Sequence, residues 1–74
     1  MIRCQLRELM AVKSGLERRR ITYDDLLEGT GIAKSTLTRL ANDRSDRVAM
    51  STIERLCTYF ACQPGDLFLY VSDE

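Results

Sequence analysis

Histidine is absent from this chain, proline occurs once, and the eleven basic and eleven acidic side chains leave no formal net charge. Without histidine the commonest general base is missing, along with one half of every Ser-His or Cys-His pair, so the residues do not point to an enzyme. Its absence also leaves a zinc ion short of partners. Cys57 and Cys62 are spaced Cys-x4-Cys, and a tetrahedral site would have to recruit Cys4 and a carboxylate or outside ligand. The cysteines are therefore read as buried thiols, with no metal and no cofactor expected. Three is an odd number, so one thiol stays free in a chain acting alone, which favours a reducing compartment. Long apolar runs are missing too. No stretch approaches the roughly 18 residues of a membrane span, and the opening residues lack the apolar core of a signal peptide. The expectation is a cytoplasmic protein with no membrane partner. Electrical neutrality withholds the usual whole-chain sign of nucleic-acid binding, so any such function must rest on local charge.

The 74 residues are 45% hydrophobic and 30% charged, an ordinary balance for a folded chain. A chain this short buries only about 60–65% of its unfolded surface, which leaves room for one core and one domain over residues 1–74. Ile2, Leu6, Leu9, Met10 and Leu16 follow a helical period, with Arg3, Arg7, Glu8 and Lys13 off the stripe, and predict a first helix whose end is open at or beyond Gly15. Thr22, three residues ahead of Asp25, fits the start of a second helix over about 23–29, and Asp24 and Asp25 suit its positive end. Gly31 suits the left-handed residue of a sharp turn. Beyond it Ala33, Leu37, Leu40 and Ala41 share one helical face, while Lys34, Ser35, Thr38, Arg39 and Asn42 share the other.

Asn42 to Arg47 reads as a loop. Ser51 and Glu54 then read as a capping box for a fourth helix, with Ile53, Leu56, Cys57 and Phe60 as its core stripe. Pro64 suits the first turn of a short fifth helix, and Leu67 faces inward. The tail Phe68-Leu69-Tyr70-Val71 either prolongs that helix or forms a short strand, the aromatic and β-branched content favouring strand.

Residues 22–42 follow the helix-turn-helix plan. The run Thr22-Tyr-Asp-Asp-Leu-Leu-Glu-Gly-Thr-Gly-Ile-Ala-Lys-Ser-Thr-Leu-Thr-Arg-Leu resembles the phage-repressor and Cro-like regulators, often called the Xre family. The basic loop from Asn42 to Arg47, Ser-Thr-Ile-Glu-Arg-Leu-Cys and Cys-Gln-Pro-Gly-Asp-Leu extend the resemblance over some two thirds of the chain. It implies an all-α, compact five-helix repressor-like domain whose third helix enters the major groove of double-stranded DNA. Leu26, Gly31, Ile32, Leu37 and Leu40 match structural positions of that family, and Lys34, Ser35 and Arg39 match positions that touch base edges, with Thr38 a further candidate.

Three residues depart from the pattern. Leu27 stands where a small residue is usual, which predicts either a slightly wider crossing of the two helices or a different packing between them. Tyr23 replaces a common glutamine and retains a hydroxyl able to reach a phosphate. Ala33 replaces a capping serine or threonine, a loss of about 1 kcal/mol unless Ser35 or water substitutes. Gly15 to Arg20 also lengthens the first connection.

An α-helix fits the roughly 12 Å major groove, where arginine donates to guanine O6 and N7 together. Arg39 is accordingly the leading specificity residue. Lys34 and Ser35 occupy the first turn, where such proteins place base contacts. Arg44 and Arg47 are placed for phosphates, as are Tyr23 and Asn42, for each of which a purely structural role also stands open: packing for Tyr23, a left-handed helix end for Asn42. From Lys34 to Arg47 four basic and two acidic residues give a local excess of positive charge. Arg18-Arg19-Arg20 either flanks the DNA backbone or forms a solvated helix end. The resulting expectation is a sequence-specific repressor, with a homodimer through the apolar tail as a means of binding a palindromic site. An antitoxin or adaptor acting mainly on proteins is the alternative.

Overall fold

The computed structural model describes residues 1–44 and 46–72. Its elements run β1 (Ile2–Cys4), α1 (Leu6–Glu17), α2 (Tyr23–Thr30), α3 (Lys34–Ala41), α4 (Met50–Phe60), α5 (Pro64–Leu67) and β2 (Phe68–Tyr70). One core cluster gathers Leu6, Ile21, Leu26, Ile32, Leu37, Leu40, Ala41, Leu56 and Leu67, so every helix contributes at least one buried residue. No polar side chain is buried with them among the described residues. Full burial of a leucine stabilises by about 1.5–3 kcal/mol, and five leucines are almost wholly removed from water.

The amino-terminal stripe does not form one helix. Ile2 to Cys4 extend as β1 and pair antiparallel with β2 in the register Ile2↔Tyr70, Arg3↔Leu69 and Cys4↔Phe68. Long-range pairing overrides the local helical period here. Of the expected inward residues, Leu6 is buried and Leu9 and Met10 pack against the core, whereas Ile2 and Leu16 stand 59% and 81% exposed. Gly15 does not stop α1, which runs to Glu17 and closes on Arg18 in the left-handed conformation (φ 54°). The tail is strand, as its composition favours, and the strand it pairs with was hidden inside an apparent helix.

Serine and threonine hydroxyls fix the connections around α2. Ser14 Oγ donates to the Met10 carbonyl at 2.8 Å and accepts from the Ile21 amide at 2.9 Å, which holds the chain leaving α1 against its last turns. Thr22 Oγ1 accepts from the Asp25 amide at 3.2 Å while Asp25 Oδ2 accepts from the Thr22 amide at 2.8 Å, a reciprocal capping box. Gly31 ends α2 at φ 75°, donating to the Leu27 carbonyl at 2.8 Å. Leu27 lies at the surface, 38% exposed, and is no spacer buried between the two helices.

Two further expectations are corrected. Helix α4 begins at Met50 with Ala49 as its cap residue, so Ser51 and Glu54 lie inside its first turns and form no capping box. The residue ahead of that cap, Val48, packs against the core, which brings the chain into the helix ahead of Ser51. Only Leu56 of the α4 stripe is buried. Ile53 and Phe60 pack against the core from its margin, and Cys57 is half-buried, not core. Pro64 opens α5 and Leu67 is buried, as expected.

Candidate nucleic-acid interface

Helix α3 divides cleanly. Leu37, Leu40 and Ala41 are buried, and Lys34, Ser35, Thr38, Arg39 and Asn42 are all exposed. Ala33 was expected inward and instead stands exposed as the cap residue, with no side-chain bond to the helix start. Neither Ser35 nor any other side chain supplies that bond. The turn ahead is held from behind: Thr30 Oγ1 donates to the Leu26 carbonyl at 2.6 Å and accepts from the Ile32 amide at 3.1 Å.

The four expected base-contact residues share this outer face but differ in what engages them. Lys34 pairs with Asp24 of α2, Nζ to Oδ1 at 2.8 Å, across the turn. Both partners are more than half exposed, so the pair contributes at most about 1 kcal/mol and yields readily to a stronger anion. Thr38 Oγ1 donates back to the Lys34 carbonyl at 2.9 Å, which engages its proton and leaves its oxygen able to accept, on a side chain that is exposed. The Ser35 and Arg39 side chains have no hydrogen-bond or ion-pair partner among the described residues. The Arg39 guanidinium thus keeps its whole donor fork, and at the last turn of α3 its charge suits the negative helix end.

The expected phosphate-contact residues spread around this face. Arg44 and Arg47 are exposed on the following loop. Tyr23 is half-buried at the first position of α2 and packs against the core, so its structural role is realised. Asn42 Oδ1 accepts a hydrogen bond from Arg7 Nη2 of α1. Asn42 is not left-handed (φ −99°), and the residue that turns the chain is Asp43 at φ 56°. Asp43 Oδ1 accepts from the Cys4 amide at 2.7 Å, and its other oxygen lies 3.7 Å from Arg3 Nε. Sequence reasoning missed Arg3, Arg7 and Asp43 as a clip between the amino-terminal strand and the end of α3. Nothing local signalled it, because these partners are 35 or more residues apart and meet only when β1 and α1 pack beside the end of α3.

The arginine run separates by role. Arg19 lies between Glu17 (3.2 Å) and Asp25 (3.5 Å), linking the end of α1 to the cap of α2. Arg18 and Arg20 are exposed. The Asp25 carboxyl is held below its ordinary range, first by the Thr22 amide, then by the Thr22 hydroxyl and the Arg19 charge. Glu17 is lowered likewise, chiefly by its hydrogen bond from Lys13.

No group of three or more metal-ligating side chains forms among the described residues, and no described helix is long and apolar enough to cross a membrane.

Comparison with known proteins agrees with this geometry. Residues 5–73 match the family model of the Cro/C1-type HTH DNA-binding domain. The chain is also 37% identical over 59 residues to the HTH-type transcriptional regulator YozG of Bacillus subtilis (strain 168), an alignment covering 80% of this chain and 70% of that protein. A helix-turn-helix with a buried inner stripe and an open polar outer face, matched nearly end to end, leads to one conclusion: the chain belongs to the Cro/C1-type helix-turn-helix family of DNA-binding transcriptional regulators.

Proposed function

We propose that this protein, acting as one domain, is a sequence-specific repressor that reads the major groove of double-stranded DNA with the outer face of α3. The carrying observation is that face itself: five polar side chains stand exposed opposite three buried apolar ones, and Arg39 is uncommitted. Arg39 donates to a guanine, Lys34 and Ser35 meet bases or phosphates beside the first turn, and Thr38 offers a methyl to a thymine. Arg44 and Arg47 bind phosphates on one flank, and the tyrosine hydroxyl of Tyr23 and the amide of Asn42 supply lesser contacts. Arg7 orients Asn42 for this role.

Two copies are needed for a tight site, since one neutral domain gains little from counterion release. The strand pair supports a two-fold seam, because Ile2 and Tyr70 are register partners and stand 59% and 71% exposed. Two recognition helices would then lie about 34 Å apart, one helical turn of DNA. The longest dimension of one chain, 38 Å, is compatible with that spacing.

Selection from random duplex DNA by the purified protein tests the reading. A palindromic motif should emerge, with affinity falling steeply as salt rises. Selection that enriches no sequence, or binding indifferent to salt, would replace it with a protein-directed adaptor role.

A further inference from the structure

We infer that Cys57 and Cys62 form a reversible dithiol–disulfide pair that closes across the carboxy-terminal end of α4, a modification site separate from the DNA-reading face. The geometry begins with how α4 ends. Ala61 adopts the left-handed conformation (φ 51°, ψ 49°), its amide donates to the Thr58 carbonyl at 3.3 Å, and the Cys62 amide donates to the Cys57 carbonyl at 3.0 Å. This pair of bonds defines a Schellman motif, whose six-residue closure brings the side chains of its first and last residues together. Those positions usually hold an apolar contact. Here both hold cysteine.

The 3.0 Å bond also limits the distance a disulfide must span. Each Cα lies only one or two covalent bonds from a bonded atom, so the two Cα atoms are no more than about 7 Å apart. Disulfides are found at Cα separations of about 4.4–6.8 Å. Both side chains are half-buried, and they line one surface groove together with Ile53 and Pro64, so a small oxidant has access. Burial and the adjacent Cys57 thiol push the Cys62 thiol above its ordinary value, which lowers its thiolate fraction and slows its attack at neutral pH. Cys4 lies elsewhere, on β1 beside Asp43, and is the unpaired third thiol.

The oxidant is a small disulfide such as oxidised glutathione. One cysteine thiolate attacks a glutathione sulfur, forming a mixed disulfide and releasing one glutathione thiolate. The second cysteine sulfur attacks the mixed disulfide at the protein sulfur, releasing the other. Two thiols and one disulfide become one protein disulfide and two glutathione thiols, which take up both protons and both electrons.

Trypsin separates Cys4 from the proposed pair, since cleavage after Arg3, Arg7 and Arg55 leaves Cys4 on one peptide and the other two cysteines together on another. Folded protein should be treated with oxidised glutathione, free thiols blocked, and the digest weighed. The expected result is a peptide from residue 56 onward lighter by two hydrogens, with Cys4 blocked, and full reversal by dithiothreitol. Cys4→Ser should leave this outcome unchanged. Wild-type protein that stops at glutathione adducts, links Cys4 or a second chain, or closes the pair only in denaturant would overturn the inference.

Discussion

Helices α2 and α3 are each eight residues long and join at one glycine turn, yet they are held in different ways. Around α2 the polar groups are spent on the protein itself: Thr22 and Asp25 cap its start, Arg19 braces that cap, and Gly31 and Thr30 close its end. Helix α3 has no side-chain cap and is fixed by its buried stripe and by the clip through Asn42 and Asp43. One helix uses its polarity to stay in place. The other is kept in place by its apolar stripe and a polar clip at its far end, which leaves the polar face between them open to a partner.

The largest effect should come from breaking the inner face of α3. Leu37 is fully buried, and Leu37→Ala should cost about 2–5 kcal/mol of unfolding free energy in urea titration. Binding should fall only as far as the folded fraction does. Arg39→Ala should do the reverse, leaving stability within about 0.5 kcal/mol and costing about 1–3 kcal/mol on the selected DNA site. Arg47→Ala should weaken all sequences alike and lower the salt slope by about one unit.

Thr22→Ala tests the other half of the comparison and should cost about 1 kcal/mol in thermal unfolding. It also carries a pH signature. Because the folded protein depresses the Asp25 carboxyl, its contribution is present above the ordinary carboxylate range and is lost as pH falls through the depressed value. Wild-type stability should therefore decline on acidification, and Thr22→Ala, which removes the hydroxyl but keeps the backbone amide, should lessen that decline only in part, as read by melting temperature between neutral and strongly acid pH. Ala61→Gly, at a left-handed position, should raise stability by about 1 kcal/mol. The smallest effect belongs to Asp24→Asn, which removes an exposed ion pair and should change stability by less than about 1 kcal/mol. By freeing Lys34 and deleting a negative charge it should tighten DNA binding at low salt, a gain lost at high salt.

What was legible in the sequence was local and periodic. Thr22 before Asp25, Gly31, the 37–40–41 stripe and Pro64 each announce their structure within one or two helical turns, and all stand where expected. What stayed hidden depends on distant partners. Ile2 matched a helical stripe because a short strand and a helix margin look alike when the pairing strand is about seventy residues away. Ser51 and Glu54 had the right spacing for a cap, but α4 begins one residue ahead of Ser51, close behind Val48 where the incoming chain packs on the core. At the interface, composition separated the inner from the outer face of α3. The Lys34–Asp24 pair and the Arg7–Asn42 bond needed the packed helices to appear.

The most direct measurement is competitive binding of wild type and Arg39→Ala to the selected duplex and to variants altered one base pair at a time. The account predicts that wild type discriminates at every position of the site, while Arg39→Ala loses preference at a single base pair in each half and keeps the same salt dependence. Unchanged discrimination and affinity in the variant would contradict it, because the one uncommitted guanidinium on the open face of α3 would then take no part in reading DNA.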